Sequence, residues 1–460
     1  MLFPPLTRPR GPLRTLLTRL HPYRIPLTLL LLALLTEVYL HNSYYTIHHP
    51  ARDLDVPFYT SCQEPDLSPS APREAAAIVM LARNHEVEKA LRTVISIETH
   101  FNRWFHYPIV FLNDEDWDPE FVSTMNETVS GGAKFEVIPK EEWGFPANIN
   151  QDRAREAINR QGQQGVLYGG LESYHHMCRF YSGKFYTLKA LREYKWYWRI
   201  EPDVEFYCAL TYDPFVEMAK HEKVYGFTVA LPKEPATCPG LFRAVADWKE
   251  EQDYRTTELW KAMVSPSWLP WPIRKMMSGL GHRDGRGDGW NLCHYWSNFE
   301  IASLDFFRSN AYQDLFERLD ERGGFYEERV STLTPFFRLG KNLMLIMRKQ
   351  WGDAPVHSLA LAMLLDSHKV HHFEDIGYRH DWYFQCPANA PGGQLLQSEV
   401  LGGPAFEVRE EREDGIGCRC ECDGSRTRNH ASYCLNRLYA AKQEQEVGDV
   451  GVGEEVGGLR

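Results

Sequence analysis

The stretch KWYWRIEPDVEFYC, Lys195 to Cys208, decides the fold class. After the lysine, a run of aromatic residues and an isoleucine reads as a buried strand, and it ends on two acids flanking Pro202. Proline fixes φ and removes a backbone donor, so the strand has to stop there. In an extended segment residues two apart project to the same side, so Glu201 and Asp203 are expected to point one way. Two such carboxylates repel unless a cation or a proton lies between them. Oxygen ligands of this kind suit Mg²⁺ or Mn²⁺, which bridge one or two carboxylates to substrate phosphates. Taken alone, the same tripeptide describes a solvated strand terminus.

Upstream, AAAIVMLA (75–82) is an apolar run of strand length, followed by RNHEVEKALRTVISIETHF. There Asn84 is placed to cap a helix, with Val87, Leu91, Val94 and Ile95 on one stripe. YPIVFLND (107–114) and AKFEVIP (133–139) read as two further strands. Strand, helix, strand, connection, strand predicts an α/β fold with a mostly parallel sheet. Ligands of such sheets bind beyond the carboxyl ends of the strands, which puts Arg83 and Asn84 where a nucleotide is expected. A capping Asn beside a solvated Arg accounts for the pair as well. Downstream, residues 171–196 read as mostly helical and 223–231 as one strand. Residues 309–322 read as a helix with Ser309 as cap, Tyr312, Leu315, Phe316 and Leu319 inward, and Gly323 just past its end.

The net charge of −11, without a basic stripe beyond the N-terminal segment, argues against a nucleic-acid partner. Residues 1–24 hold five arginines and no acid. Ile25 to Leu40 is an apolar run whose helix covers ~24 Å, slightly short of the ~27 Å core of an ER-like bilayer. Arginines ahead of such a run, with no small-residue cleavage site after it, predict a signal anchor with a cytosolic tail (1–24) and a lumenal remainder. Residues 41–72, with five prolines, read as a non-globular stem, 73–440 as the folded domain, and the acidic, Gly-rich end (441–460) as disordered. In an oxidising lumen the ten cysteines are disulfide candidates, and the C-x-C-x-C of Cys418, Cys420 and Cys422 favours bridges over zinc. One sequon, at Asn126, accords with a secretory route.

Further motifs stand in order along the chain: ESYHHMCRFYSGKFY, the opening stretch, GWNLCHYWSNFEIASLDFFRS (289–309), GGFYEER (323–329), WGDAPVHSLAL (351–361) and HHFEDIGYRH (371–380). The series resembles the fungal Golgi α-1,2-mannosyltransferases, the family 15 glycosyltransferases, over roughly residues 75–390. The resemblance implies a lumenal type II Golgi membrane enzyme with a GT-A-like fold, using GDP-mannose and Mn²⁺ to extend mannosylated N- or O-glycans with retention. It implies Glu201 and His380 as metal ligands, with Asp203 on the sugar nucleotide or a metal-bound water. Glu300 matches the proposed nucleophile, and Tyr174 and Asp353 match residues near the acceptor and reacting centre. Read without the resemblance, Glu300 is a core-edge acid paired with Arg308, Tyr174 a packing residue, and His380 a surface histidine.

The pattern breaks at Val330–Gln350, where VSTLTPFFRLGKNLMLIMRKQ separates FYEER from WGDAPVHS. Val-Ser can be encoded GTA AGT, a donor site, Leu345-Ile346 can contain a branch sequence, and the final Gln can be CAG, an acceptor. We read these 21 residues as a translated, unspliced intron, and sequencing the transcript across the junction tests it. Residues 266–290, rich in Pro and Gly, read as a variable surface excursion. Two other functions compete with the transferase. A retaining glycoside hydrolase would need two carboxyls ~5.5 Å apart, and an inactive sugar-binding relative would bind without turnover.

Overall fold

The computed structural model describes residues 23–46, 56–166, 168–235, 237–326, 351–392, 411–422 and 432–449. Seven strands form the main sheet: β1 (Ala76–Leu81), β2 (Ile109–Asn113), β3 (Ala133–Val137), β4 (Trp196–Ile200), β5 (Tyr225–Phe227), β6 (Glu300–Ser303) and β7 (Val370–His372). Their order is β7-β5-β6-β4-β1-β2-β3. Only β6 runs antiparallel to its neighbours, β4 and β5, and every other pairing is parallel. The expected mostly parallel sheet is present.

Alternation along the strands divides their side chains between two cores. Ala77, Val79, Val110, Leu112 and Tyr197 pack on one face. Ile78, Met80, Ile109, Phe111, Trp198 and Ile200 pack on the other. With both faces covered, β1 has no polar side, which is why its sequence is a continuous apolar run.

Several elements differ from expectation. Residues 223–231 do not make one strand: β5 ends at Phe227, and Ala230–Pro232 pairs instead with Cys293–Tyr295. The helix expected over 171–196 is Glu172–Gly183. It stops where Gly183 meets the Phe316 ring, which a Cβ would approach to 2.1 Å. The helix Asn310–Arg322 agrees in detail: Ser309 Oγ accepts from Tyr312 N, the four expected residues are buried, and Gly323 is left-handed at φ 71°.

The acidic end begins within a helix, Ser432–Asp449, and its last residues, 450–460, lie outside the described residues. Cys434 is bridged to Cys293, and Leu435, Leu438 and Ala441 are buried, so the core holds this helix in place. The stem is packed over its second half. Phe58 stacks on His371 at 4.1 Å, Tyr59 donates to Glu217, and Cys62 is bridged to Cys418. The N-terminal helix, Arg24–Tyr44, is longer than the apolar run that predicts it, and its length and composition suit a membrane span.

Cys418, Cys420, Cys422 and Cys434 all lie in disulfides, to Cys62, Cys208, Cys386 and Cys293, so the cluster is not a zinc site. The atypical Val330–Gln350 lies outside the described residues. Its flanks meet directly, since Trp351 N donates to Gly324 O at 3.1 Å. The Trp351 indole covers Gly324, where a Cβ would come within 2.3 Å of it.

Candidate active site

The strand order reverses at β1, with β2 on one side and β4 on the other, and a cleft of about 310 Å³ opens beyond the carboxyl ends of these three strands. Its lining includes Arg83 after β1, Asp114 after β2, and Glu201 and Pro202 after β4. Tyr174 and Tyr181 close it from the helix Glu172–Gly183. A switch point of this kind is where α/β sheets hold ligands. A larger cavity of about 650 Å³ shares none of these residues and lies at the foot of the N-terminal helix.

Arg199 organises the acids behind the cleft. It stands next to last in β4, 1% exposed, on an otherwise apolar strand. Its Nη2 donates to Glu201 Oε1 at 2.5 Å and its Nη1 to Asp353 Oδ2 at 2.6 Å. Nη1 also lies 3.9 Å from Glu300 Oε1, and the guanidinium stacks over the Tyr181 ring at 3.5 Å. One cation therefore brings together three acids from three distant parts of the chain. Sequence reading passed over it, although a lone arginine inside a buried strand is itself a signal, because such a charge has to be paired.

Glu300, at the start of β6, is fully buried. Oε1 accepts from Tyr197 at 2.9 Å, and Oε2 from Tyr225 at 3.0 Å, with His357 Nδ1 at 3.1 Å. The expected Arg308 partner is wrong: that guanidinium donates to the carbonyls of Tyr186, Leu191 and Tyr194. Asp353 opens the helix Asp353–Leu364, where the dipole favours an anion. Burial alone would raise its carboxyl, but Arg199 and His357, with a bond from Ser297 Oγ at 2.7 Å, hold it down at about 2. Tyr174 is raised well above the usual phenol by Cys178, by burial, and by Asp353 and Glu201, so it stays protonated beside both acids.

The two acids of the opening stretch part company. Asp203 takes a left-handed φ of 71°, so the chain turns after Pro202 and the carboxylates no longer share a side. Asp203 bonds Lys89 Nζ at 2.6 Å and Arg92 Nη2 at 2.9 Å. Its slight burial raises the carboxyl, but these two cations outweigh that and hold it below the usual range. Asn84 neither caps a helix nor lines the cleft. Its side chain donates to Asp116 O and accepts from Asp118 N, pinning the loop after β2, while Arg83 precedes the short turn Asn84–Glu86.

His380 ends a strand, Tyr378–His380, that pairs with Glu205–Phe206. That register carries it alongside the turn that follows Glu201. Tyr378, two residues away, is raised by burial first and then by the charge of Glu201. His380 packs against Trp296 at 5.0 Å and its Nδ1 meets the Asn298 amide. Among the described residues no three His, Cys, Asp or Glu side chains form a metal-holding group. A metal here would have two protein ligands at most. Glu201 fits, since Arg199 occupies only Oε1. His380 fits once the Asn298 amide is turned, because Asn298 Oδ1, buried without a partner, then accepts Nδ1–H and leaves the Nε2 lone pair for a metal.

Comparison with known proteins identifies the family. A family model described as glycolipid 2-alpha-mannosyltransferase matches residues 53–349 and 346–391, two pieces meeting at the end of the atypical segment. The glycolipid 2-alpha-mannosyltransferase of Saccharomyces cerevisiae is 40% identical over 393 residues, 85% of this chain and 75% of that one. The probable mannosyltransferase KTR7 of the same yeast is 35% identical over 456 residues, 86% of this chain and 83% of that one. Core-mannan synthase A of Aspergillus fumigatus, solved in an Mn/GDP form, superposes with a TM-score of 0.63 at 29% identity, over 86% of this chain and 94% of that one.

Proposed function

The chain belongs to the glycolipid 2-alpha-mannosyltransferase family, and from that premise we propose that it transfers mannose from GDP-mannose to mannosylated glycans on glycoproteins, forming α-1,2 linkages with retention. The observation that carries the reading is Glu201, which opens onto a cleft at the switch point of the sheet with one oxygen left over from Arg199. The yeast relative Ktr4p, 28% identical with a TM-score of 0.63, is a mannosyltransferase solved with GDP, which supports the nucleotide.

Glu201 Oε2 and His380 Nε2 would hold a divalent ion that we take to be Mn²⁺, and when bound it supplies positive charge against the departing diphosphate. The Asn298 amide orients the imidazole, as partners behind a metal ligand do. Arg83 stands at the cleft wall, where its guanidinium can meet phosphate. Asp203, held by Lys89 and Arg92, steadies the turn that presents Glu201.

Mannose leaves an α-linked diphosphate and becomes α-linked again, so one simple inversion does not serve. Glu300 is the carboxylate a double displacement would use, yet its oxygens are engaged by Tyr197, Tyr225 and His357 and it does not line the cleft. Entry of the acceptor on the leaving-group face is therefore the route this geometry favours, with Glu300 and Asp353, two acids against the single charge of Arg199, leaving a net negative potential behind the cleft. Tyr174, protonated at the cleft wall, can donate a hydrogen bond to a sugar oxygen. The same burial of Glu300 counts against a glycosidase, which needs both carboxyls on the sugar.

The arginine-rich N-terminus, the apolar helix and the four disulfides support a type II anchor with the catalytic domain in the Golgi lumen. Incubating the membrane-bound protein with GDP-mannose, Mn²⁺ and a mannoside tests the reading. Mannosyl transfer in an α-1,2 linkage supports it, whereas mannoside hydrolysis, or nucleotide binding without turnover, refutes it. In the same assay Glu201→Ala is expected to remove metal-dependent GDP binding, checked by titration calorimetry with Mn²⁺ and with chelator.

A further inference from the structure

We propose that residues 266–280 form a second membrane contact, seated in the lumenal leaflet beside the N-terminal helix. The proposal rests on the reading of that helix as an anchor. The segment is the surface excursion PSWLPWPIRKMMSGL, and it is tied to the helix by paired polar groups. Glu37 Oε1 accepts from Arg274 Nη2 at 2.8 Å, and Glu37 Oε2 accepts from Trp271 N at 3.2 Å. Asn42 Nδ2 donates to Ser267 O at 3.2 Å, and Asp288, whose Oδ1 accepts from Ser267 N at 2.9 Å, bridges to His41 Nε2 at 2.9 Å.

These contacts fix the depth of the segment. Glu37 precedes the helix end at Tyr44 by two turns, which is ~10 Å along the axis. Trp271, whose backbone N–H meets Glu37, therefore sits about that far toward the bilayer from the lumenal end of the helix. Around it, Trp268 is 76% exposed, Trp271 53%, Ile273 49%, Met276 71% and Leu280 47%. Exposed tryptophans and aliphatic side chains beside Arg274 and Lys275 have the composition of a membrane–water interface.

The bilayer is the occupant that the chain itself indicates. The patch continues the lipid-ready surface of the helix, where Leu35, Tyr39 and Leu40 are also exposed. It also resolves a defect of the anchor. From Arg24 to Glu37 a helix covers only ~20 Å, less than a bilayer core, and an acid then interrupts the apolar surface. Arg274 neutralises that acid, with its own side chain 5% exposed. Helix and excursion together thus present one apolar collar around a matched ion pair, so that the last turns can sit below the headgroups.

The test uses the full chain in phosphatidylcholine vesicles, with a nitroxide on one introduced cysteine at a time. The two native thiols, Cys178 and Cys238, are buried. Labels replace Leu31, Trp268, Met276 and, as an exposed control, Trp382. Relaxation by oxygen against relaxation by a water-soluble nickel chelate reports depth. Oxygen-dominated relaxation at 268 and 276, as at 31 and opposite to 382, is the expected result. Chelate-dominated relaxation at 268 and 276 with 31 still in lipid overturns the proposal and leaves the anchor standing. Shielding of 268 and 276 from both reagents points to a second copy or a protein partner and overturns it too. A Leu31 label in water overturns the anchor, and the proposal falls with it.

Discussion

At the scale of single residues, charge balance around Arg199 dominates. Replacing it by Met leaves the buried Asp353 and Glu300, and Glu201 at the cleft, without their shared cation. Breaking a buried pair by removing one partner costs about 3–5 kcal/mol, so urea unfolding of Arg199→Met should show a loss of that order, with GDP binding lost as well. Acid acts through the same cluster. Asp353 is depressed from 3.8 to about 2, so its stabilising share is complete above pH 3.8 and is lost as pH falls through 2. Asp375 runs the other way: burial pushes it up to about 6 despite the bond from Tyr212. Its share is complete below 3.8 and lost as pH rises through 6, where the ion becomes a buried cost of ~3 kcal/mol. Asp375→Asn should therefore gain Tm relative to the parent between pH 4 and 7, read by thermal scans across that range. A difference independent of pH would refute the assignment.

At the scale of elements, one short strap does most of the fastening. Residues 411–422 carry Cys418, Cys420 and Cys422, bridged to the stem, to Cys208 after the opening stretch, and to Cys386 beyond the His380 hairpin. Cys208 also packs against Gly377, where a Cβ would meet its sulfur at 2.5 Å, so the strap bears on the strand that carries His380. Losing the Cys208–Cys420 bridge through a Ser pair should lower stability by about 2–4 kcal/mol and also weaken Mn²⁺-dependent GDP binding. The Cys293–Cys434 pair, which anchors the C-terminal helix, should lose comparable stability with nucleotide affinity kept. Equal affinities in the two double variants would disprove this division of labour. Local signals made β1 to β4 and the helix Asn310–Arg322 legible, because apolar runs, a serine cap and a terminal glycine act within a few residues. The E-P-D geometry was not legible, because a left-handed Asp203 is set by Lys89 and Arg92 from another element. Glu201 was singled out by its place at the strand end, Glu300 and Asp353 only through motif order, while the meeting of all three at Arg199 needs strand pairing between β4 and β6, which no local pattern encodes.

At the scale of the whole molecule, the question is whether the architecture closes without Val330–Gln350. The chain enters that stretch from the buried Phe325 and Tyr326 and returns at the buried Trp351. Gly324 O already accepts from Trp351 N, and the Phe325 and Trp351 rings are 5.9 Å apart. Joined directly, Arg329 would precede Trp351, and five residues would span between the two hydrogen-bonded ones, within the usual range for a tight connection. Loop-closure entropy adds a further gain, since shortening a connection several-fold recovers roughly 1 kcal/mol. The chain lacking Val330–Gln350 should therefore fold with a Tm equal to or slightly above that of the full chain, and keep the Arg199 cluster and GDP binding. Mannosyl transfer should then equal or exceed that of the longer form, because Asp353 and His357 follow the junction by only a few residues. A deletion variant that unfolds, or that loses nucleotide binding at unchanged Tm, would make the segment an integral part of the enzyme.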